Sequence, residues 1–496
     1  MAFVLLINPP YTRYGSPAHI QVDEPLGLMC LAAYVRRLGH QVRILDALRA
    51  DYVDCGDGFF KGGLSDAELR EALAALPRPD VVGITSMFTM HSKGVHDAAA
   101  VVKSVWSDVP VVVGGSHASA LADWVLEDKN IDLVAIGEGE VTLEEIINRR
   151  LAGQSFEGIA GTALRRDGQV VRTPPRSFIE DIDSLPPMAR DLVDMPKYLA
   201  EEYRNRVAMA TPRANVITSR GCPCTCVFCS IHSIWRNGYR ARSPESVLDE
   251  LEMLVKTYGV REVAFQDDNL TLNPKRMIAI CEGLIRRKLK LRWCTPNGVA
   301  IWTLSDELID KMAKSGCYKV TFGIETGCPA TQQFIRKTQV KLDQCDRIVR
   351  KCNRAGMWTH SSFIIGFPFE TKAQVEQTVQ YAVDSDLDFA AFFVATPFPG
   401  TPLFDIYRSE GLLPELGDSM KLQFQGHQSE VMCDTRHFTR DELAATMHAA
   451  YRRFYGSRIR KFLNPIRPLR KMRGWPEIRY FWKLFQLYRT EFGNLA

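Results

Sequence analysis

Four cysteines that lie within eight residues are the side chains of this chain best suited to chemistry. Cys222, Cys226 and Cys229 have the spacing CxxxCxxC, and Cys224 lies between them. Three thiolates on a tight loop can hold three irons of a 4Fe-4S cubane and leave the fourth iron open. A cluster that only transfers electrons normally has four protein ligands. The spacing therefore predicts a cluster whose open iron binds a further molecule.

A structural zinc site built from all four cysteines is the alternative interpretation. Structural zinc usually takes two pairs of ligands separated by a longer spacer, and four cysteines within eight residues are crowded for a tetrahedron. The chain has thirteen cysteines in all, an odd number without a regular framework, which indicates a reducing compartment. Scattered cysteines in helix-like apolar patterns, such as Cys30, Cys281 and Cys352, are predicted to be small buried core residues.

The cysteine loop follows the first strand of a βα series. Helical patterns over 244–258 and 306–315 alternate with short apolar runs. This alternation predicts a partial or full parallel (β/α) barrel over 211–425, with its chemistry at the carboxyl ends of the strands. The strand candidates are 215–219, 262–266, 292–294, 319–324, 361–365 and 390–395.

The first 150 residues show a second, separate alternation of β-branched runs and amphipathic stretches. Continuous apolar runs separated by helices predict a doubly wound parallel sheet that is covered on both faces. Ligands of such sheets bind outside the carboxyl ends of the strands. The loops expected at those ends contain Asn8-Pro9-Pro10, Thr85-Ser86 and residues 114–117 and 137–140.

The remaining segments have a different composition. Residues 151–210 are rich in turns and predict a linker or small extension. The segment from Tyr451 to Arg489 contains twelve Lys or Arg residues but only one acidic residue, Glu477, and aromatic residues lie between the basic ones. Residues 426–496 are therefore expected to form a basic helical region. It either caps the barrel with a solvated basic face or contacts an anionic membrane or an acidic partner.

Composition excludes some classes of function. Hydrophobic residues make up 46% and charged residues 24% of the chain, as is typical of soluble globular proteins, and a net charge of +4 gives no nucleic-acid signal. No run of about 18 uncharged apolar residues is present. The N-terminus lacks the basic start and cleavage site of a signal peptide. We expect a cytoplasmic location, with peripheral membrane contact through the C-terminal region as a further option.

The cysteine loop and four later segments together resemble the radical S-adenosylmethionine (SAM) enzymes. RGCPxxCxFC after a strand is similar to their signature loop, and 323–327 is similar to their GIESG motif. Residues 265–271, 365–371 and 397–403 are similar to further family motifs, although Phe369 replaces a glycine of the family pattern. Asp268 is expected to be structural. The resemblance implies that a 4Fe-4S cluster binds Cys222, Cys226 and Cys229, and that SAM binds Asp267, Glu325, Gly366 and Pro397.

The N-terminal segment resembles the cobalamin-binding domains of the cobalamin-dependent radical SAM subfamily. The DxHxxG motif of many cobalamin enzymes is absent, because Leu48 follows Asp46 where histidine would stand, so no lower axial histidine is expected. A flavin or nucleotide is the rival ligand, but no GxGxxG or Walker motif is present. The resemblance implies that cobalamin contacts Asn8, Pro9, Leu26, Gly27, Ser86, Gly114, Gly115, His117, Gly137, Glu138 and Gly139.

The combined resemblance implies a cobalamin-dependent radical methylase of an unactivated carbon. A cobalamin-containing radical cyclase or rearrangement enzyme is the alternative within enzymes, and a non-catalytic iron–sulfur or zinc module is the alternative outside them. A methylthiotransferase is disfavoured, because that family has three further cysteines in its N-terminal domain and only Cys30 and Cys55 occur here. The expected partners are a small-molecule or lipid-like substrate and an electron donor such as flavodoxin or ferredoxin.

Overall fold

The structure is a computed structural model that describes residues 1–14, 22–49, 51–200, 208–413, 433–462, 471–472 and 474–492. It divides into two compact units. The first unit consists of Met1–Tyr198 together with Ser230–Arg236. The second consists of the described residues of Leu199–Cys229, of 237–413 and from 433 onward. Each unit has its own β-sheet and core.

The first unit is built on a seven-stranded sheet in the order β10-β9-β8-β7-β6-β1-β3. Strands β3, β1, β6, β7 and β8 are parallel, and β9 and β10 form an antiparallel edge. Parallel strands in this order have a topological switch point between β1 and β6, where ligands of such sheets bind. The strands of the sheet are β1 Phe3–Asn8, β3 Gln41–Asp46, β6 Val81–Thr85, β7 Val111–Gly114, β8 Leu133–Ala135, β9 Thr162–Arg166 and β10 Gln169–Arg172.

Helices cover both faces of this sheet, as the sequence predicted. Leu5 and Ile7 of β1 belong to one apolar cluster, whereas Val4 and Leu6 belong to another. Because successive side chains of a strand point to opposite faces, both faces must be buried, which accounts for the continuous apolar runs. The helices are α1 Leu26–Arg37, α2 Asp66–Ala74, α3 Ser92–Val105, α4 Ser116–Ala120, α5 Ala122–Val125, α6 Glu140–Leu151, α7 Met195–Leu199 and α8 His232–Trp235.

Two hairpins in this unit were missing from the sequence prediction. The first belongs to a small antiparallel sheet of β2 Tyr11–Tyr14, β4 Tyr52–Gly56 and β5 Phe59–Gly62. The second joins β9 to β10, so part of the segment expected to be a linker or small extension adds two strands to the main sheet. Both hairpins turn at an Asp-Gly pair with positive φ, Asp57-Gly58 and Asp167-Gly168. Asp-Gly is a strong hairpin signal, because both turn residues require positive φ.

The second unit contains six parallel strands in the order β11-β14-β15-β16-β17-β18. In the described part of the chain no ladder joins β11 to β18, so the sheet is an open, partial barrel. This confirms the predicted architecture. The strands, with the short pair β12 and β13, are β11 Arg213–Val216, β12 Ser219–Arg220, β13 Arg240–Ala241, β14 Glu262–Phe265, β15 Arg292–Val299, β16 Cys317–Glu325, β17 Trp358–Ile365 and β18 Phe389–Val394.

Four of the helices between these strands begin at polar capping residues. The side chains of Ser243, Asn273, Ser305 and Thr371 each accept a backbone N–H of the first turn. Such a cap satisfies one of the amides that have no partner within the helix. The helices are α9 Pro244–Tyr258, α10 Pro274–Arg286, α11 Asp306–Lys314, α12 Pro329–Phe334, α13 Leu342–Arg354, α14 Lys372–Asp384, α15 Pro402–Ser409, α16 Arg440–Phe462 and α17 Trp475–Phe492.

The C-terminal helix α17 covers the amino ends of the barrel strands. Tyr480 is buried against Tyr318 and Trp358, and Phe481 stacks on Trp358. Lys471, which precedes the helix, forms a fully buried ion pair with Asp388. The expected helical C-terminal region is thus packed on the barrel. A search of the described helices found none long and apolar enough to span a membrane.

Candidate cofactor sites

The cysteine loop begins where β11 ends, and its residues lie close to the end of β14. Gly221 has φ +88°, a backbone conformation that favours glycine, and it directly precedes Cys222. Cys226 is buried, whereas Cys222 and Cys229 are partly exposed. The backbone N–H of Cys229 donates to the carbonyl of Cys226 at 3.2 Å, which closes a tight turn. The three predicted ligands therefore share one compact loop.

Two adjacent aspartates after β14 have different surroundings. Asp267 is fully buried and accepts hydrogen bonds from the backbone N–H and hydroxyl of Thr218 and from the hydroxyl of Ser219. Asp268 accepts the backbone N–H of Gly221 at 3.1 Å, and burial raises its pKa to about 6. Asp267 thus fixes the strand end before the cysteines, while Asp268, expected to be structural, lies beside the loop. The assignment of Asp267 to SAM stays a prediction.

Glu325 forms a buried ion pair that the sequence did not reveal. The Lys337 ammonium donates to the Glu325 carboxylate at 2.8 Å and to the carbonyl of Gly323 at 3.0 Å. Burial alone would lower the pKa of Lys337, but Glu325 and the thiols of Cys226 and Cys229 raise it above its ordinary value. Lys337 therefore stays charged beside the cysteine loop. It lies in no motif, so only the fold could identify it.

The surroundings of the cysteines fit a metal cluster. A hydrogen bond from Cys224 lowers the pKa of the Cys222 thiol, and the Asn269 amide lies 3.8 Å from its sulfur. Burial raises the pKa of Cys226, and the nearby Lys337 charge opposes that effect. A cation close to several thiolates stabilises the charged form that binds iron. In the described ranges no three His, Cys, Asp or Glu side chains converge on a single-ion site.

The turn after β17 forms although Phe369 replaces the glycine of the family pattern. Gly366 has φ +80°, and the buried Glu370 carboxylate accepts the backbone N–H of Gly366 at 2.8 Å and of Phe367 at 3.1 Å. Burial raises the pKa of Glu370 to about 7. The Phe369 ring packs on Phe334, with centroids 4.2 Å apart. The side chain at position 369 thus fits without breaking the turn.

Hydrogen bonds join the Pro397 loop and the helix after it to the cysteine loop and to the turn at Gly366. The backbone N–H of Leu403 donates to the carbonyl of Val227 in the cysteine loop at 2.9 Å. The Tyr407 hydroxyl donates to the carbonyl of Gly366 at 3.1 Å. Pro397 itself is buried. The structure thus brings three of the predicted segments together around one apolar cluster that includes Val227, Phe367, Leu403 and Tyr407.

In the first unit, Ser86 and Gly115 meet at the carboxyl ends of β6 and β7. A Cβ atom added to Gly115, which has φ +114°, would lie 2.6 Å from the Ser86 carbonyl oxygen, so no other residue fits without a backbone shift. The backbone N–H of Ser86 donates to the carbonyl of Gly114 at 2.7 Å. The buried Ser86 hydroxyl has no hydrogen-bond partner among the residues that the structure describes. A ligand at this edge could accept or donate that hydrogen bond, so the edge fits a bound cofactor.

His117 lies beside this pair and is held in the neutral form. Its Nδ1 lies 3.0 Å from the Thr89 hydroxyl, and burial lowers its pKa to about 4. Two apolar side chains near it, Met87 and Phe88, are about half exposed. Exposed apolar groups at a ligand-binding edge are suited to contact with a large organic ring.

At the β1 and β3 ends, Asp46 is held by a network that the sequence did not predict. Its carboxylate accepts hydrogen bonds from Asn8 at 2.9 Å and Lys197 at 2.8 Å, and from the Tyr198 hydroxyl. Leu48, where a DxHxxG protein has histidine, is fully buried against Tyr198. The aspartate of that motif is therefore bound by lysine and tyrosine from α7.

The other predicted cobalamin residues lie in loops of the same unit. Pro9 is buried after β1, and Leu26 and Gly27 begin α1, with open space around Gly27. Gly137, Glu138 and Gly139 follow β8. The Glu138 carboxylate accepts the backbone N–H of Ile179 at 2.8 Å, so it anchors the following segment. The parallel strands place these loops at one edge of the sheet, and their contact with cobalamin stays a prediction.

Comparison with protein families gives two matches. The model of the radical SAM superfamily matches residues 216–382, and the model of the B12 binding domain matches residues 21–147. The B12-binding range lies in the first unit, and the radical SAM range lies in the second unit except for Ser230–Arg236, which belongs to the first.

Named relatives cover most of the chain. A protein of Pyrococcus horikoshii named an uncharacterized methyltransferase is 32% identical over 91% of this chain and 92% of its own length. The cytidylyl-2-hydroxyethylphosphonate methyltransferase of Streptomyces wedmorensis is 31% identical over 81% of this chain and 80% of its own. The anaerobic magnesium-protoporphyrin IX monomethyl ester cyclase of Rubrivivax gelatinosus is 30% identical over 91% of this chain and 77% of its own.

A solved structure has the same fold. The radical SAM methyltransferase TsrM of Kitasatospora setae, solved with cobalamin and a [4Fe-4S] cluster, aligns with a TM-score of 0.68. The alignment covers 92% of this chain and 89% of that chain at 20% identity.

Proposed function

Because this chain belongs to the cobalamin-dependent radical SAM enzymes, we propose that it methylates an unactivated carbon of a small molecule. Its cofactors are a 4Fe-4S cluster, SAM and cobalamin. The observation that carries the proposal is the packing of the cysteine loop, the Gly366 turn and the Pro397 loop around one cluster, with Glu325 and Lys337 beside the cysteines. Named methyltransferases that align over most of the chain support the same reading.

The residues of the second unit have separable roles in this proposal. Cys222, Cys226 and Cys229 hold the cluster, and Cys224 donates a hydrogen bond to Cys222. The charges of Glu325 and Lys337 complement the amine and carboxylate of an amino acid, so we assign this pair to the methionine end of SAM. When bound, the cofactors supply a radical that removes hydrogen from the substrate carbon and a methyl group that replaces it.

Side chains at the sheet edge of the first unit are proposed to hold cobalamin without an axial histidine. Ser86 supplies a buried hydroxyl, and Gly114 and Gly115 let the backbone approach the ligand. Leu48 cannot coordinate cobalt, and Asp46 already binds Lys197 and Tyr198. We expect the cob(II)alamin resonance spectrum of the protein to lack nitrogen splitting from a histidine. Such splitting would contradict this assignment.

A ring-forming reaction is the second candidate, because a cyclase is 30% identical over 91% of the chain. Cyclase and methylase share both family domains, and no described side chain distinguishes them. The mass of the product distinguishes the two reactions, since methylation adds the mass of a methylene group to the substrate and cyclisation removes hydrogen.

Two partners belong to the same proposal. A flavodoxin or ferredoxin would reduce the cluster, because the reaction needs an external electron.

Contact of α17 with anionic lipid is supported by Trp475, Ile478 and Trp482, which lie on one side of the helix and are 75%, 43% and 58% exposed. Apolar groups of this kind anchor helices at lipid surfaces. Replacing both tryptophans with alanine should reduce binding to anionic vesicles at low salt. Vesicle binding that is absent in the unchanged protein would overturn the membrane proposal.

The proposed function is tested by SAM cleavage. The protein, purified and reconstituted without oxygen, is expected to form 5′-deoxyadenosine from SAM when it is reduced with dithionite. The Cys226→Ala variant is expected to form none. Equal formation by both proteins, or none by the unchanged protein with a full cluster, would overturn the proposal.

A further inference from the structure

The interior of the partial barrel carries polar side chains that no cofactor motif contains. Along β17, Thr359, Ser361 and Phe363 are buried, whereas His360 and Ser362 are partly exposed. Phe363 packs on the aromatic rings of neighbouring helix and strand residues, so the buried set faces outward. Because side chains alternate along a strand, His360 and Ser362 face the open interior.

Lys319 shares this interior surface on the neighbouring strand β16. The register pairs Thr321 with His360, and Lys319 lies two residues before Thr321 on the same face. Lys319 is partly exposed, like His360. Burial and, as the smaller cause, the positive charge of Lys319 lower the pKa of His360 to about 3. A neutral imidazole and an ammonium group therefore lie close together.

Aromatic residues form a floor beneath these two side chains. Trp358 and Phe389 belong to the same apolar cluster as Tyr480, and Phe481 packs against it. These rings close the amino end of the barrel. A molecule that reaches His360 would therefore come from the carboxyl ends of the strands, the side on which Glu325 lies.

The surroundings of His360 favour an anion over a cation. The Nδ1 atom of His360 is buried and has no hydrogen-bond partner in the described part of the protein, a state that costs free energy unless a ligand satisfies it. Glu325, at the end of β16, is bound by Lys337, and Asp388, just before β18, is bound by Lys471. The charge of each carboxylate is thus balanced by its lysine.

We propose that Lys319 and His360 bind an anionic oxygen group of the methyl acceptor, a carboxylate or a phosphate or phosphonate. This inference rests on the proposed function and names the substrate class. The register places Glu325 beside Phe363, three residues beyond His360. At a rise of about 3.3 Å per residue, this places the anionic group about 10 Å from Glu325, the residue that we assign to SAM.

Binding of small oxyanions tests the proposal. Inorganic phosphate and butyrate, with neutral butyramide as the control ligand, are titrated calorimetrically into the full reconstituted chain with SAM at constant ionic strength. We expect one of the two anions to bind, and the tighter one identifies the chemical source. Lys319→Met and His360→Phe should each weaken binding about tenfold, as expected for a charge-assisted hydrogen bond. His360→Asn, which keeps a hydrogen-bonding group, should lose less affinity for the anion than His360→Phe.

Ser361→Ala is the matched control, because this residue is on the outer side of the same strand and donates to the carbonyl of Phe322. It should change binding less than about twofold. The proposal is overturned if the unchanged protein binds neither anion, if butyramide binds as tightly as butyrate, or if Lys319→Met binds as the control does. Formation of 5′-deoxyadenosine is measured on the same unchanged sample. Cleavage without anion binding overturns this inference alone, and absence of both overturns the proposed function.

Discussion

Loss of the Lys337 charge should destabilise the second unit strongly. Lys337 and Glu325 form an ion pair at 2.8 Å, and each side chain is only 11% exposed. Lys337→Met leaves the Glu325 carboxylate buried without its partner. Breaking a buried pair in this way typically costs about 3–5 kcal/mol. For a domain of this size, each kcal/mol lowers Tm by about 2–4 °C, so we expect a decrease of at least about 6 °C.

A double substitution separates the charge effect from lost packing. Lys337→Met combined with Glu325→Gln leaves no charge at this site, so the double variant should be more stable than the two single losses added together predict. Lys351→Met is the matched control, because its pair with Asp310 at 2.7 Å is much more exposed. Exposed pairs contribute about 0–1 kcal/mol, so Tm should change little.

Thermal unfolding of the metal-free chain, followed by circular dichroism without oxygen, is the assay. The reasoning is refuted if Lys337→Met unfolds at the temperature of the Lys351→Met control. It is also refuted if the effects of the two single substitutions simply add in the double variant.

Three further predictions concern the cofactor sites and one turn. Alanine at Cys222, Cys226 or Cys229 should abolish iron binding, whereas Cys224→Ala should retain it. Iron analysis and electron paramagnetic resonance spectra of the reconstituted variants measure the cluster content. Gly115→Ala should reduce cobalamin content, measured by absorbance, because its Cβ would lie 2.6 Å from the Ser86 carbonyl oxygen. Equal content would show that the backbone shifts without cost. Burial raises the pKa of Glu370 to about 7, above its unfolded value of 4.5, so its contribution to stability is present at low pH and is lost as pH rises to about 7. The Tm of the unchanged protein minus that of Glu370→Gln should therefore fall from pH 5 to pH 8, and a constant difference would contradict this.

The sheets could be predicted because their signals are local. Val81–Thr85 and Val111–Gly114 are short apolar runs between helical patterns, which is typical of buried parallel strands. The Asp57-Gly58 and Asp167-Gly168 turns were equally local, but the sequence prediction did not use them. The segment predicted to be a linker or a small extension contains an edge hairpin of the main sheet.

The side-chain partners in the sites depend on the fold and could not be read from the sequence. Lys337 lies twelve residues beyond Glu325 and meets it only because α12 returns the chain to the end of β16. The two aspartates after β14 are adjacent, and only the backbone direction decides that Asp267 bonds Thr218 while Asp268 bonds Gly221. A motif identifies such residues as a group and does not assign their contacts.

Charge counts were also a poor guide to the tail. The twelve basic residues predicted a solvated or lipid-binding face, yet Lys471 is buried with Asp388, and Arg458 is buried and donates to the carbonyls of Ala382 and Val383. These residues hold the tail on the barrel. Exposed aromatic residues such as Trp475 and Trp482 are now the features that favour a membrane contact.

Methyl transfer is the central claim, and isotope labelling tests it most directly. The reconstituted protein, with cobalamin, a reductant and SAM that carries a trideuterated methyl group, is incubated with a metabolite extract, and products are identified by mass spectrometry. We predict a product in which a trideuteromethyl group replaces a hydrogen, formed together with 5′-deoxyadenosine and S-adenosylhomocysteine. A product that has lost hydrogen and contains no deuterium would contradict the claim and favour the cyclase reading.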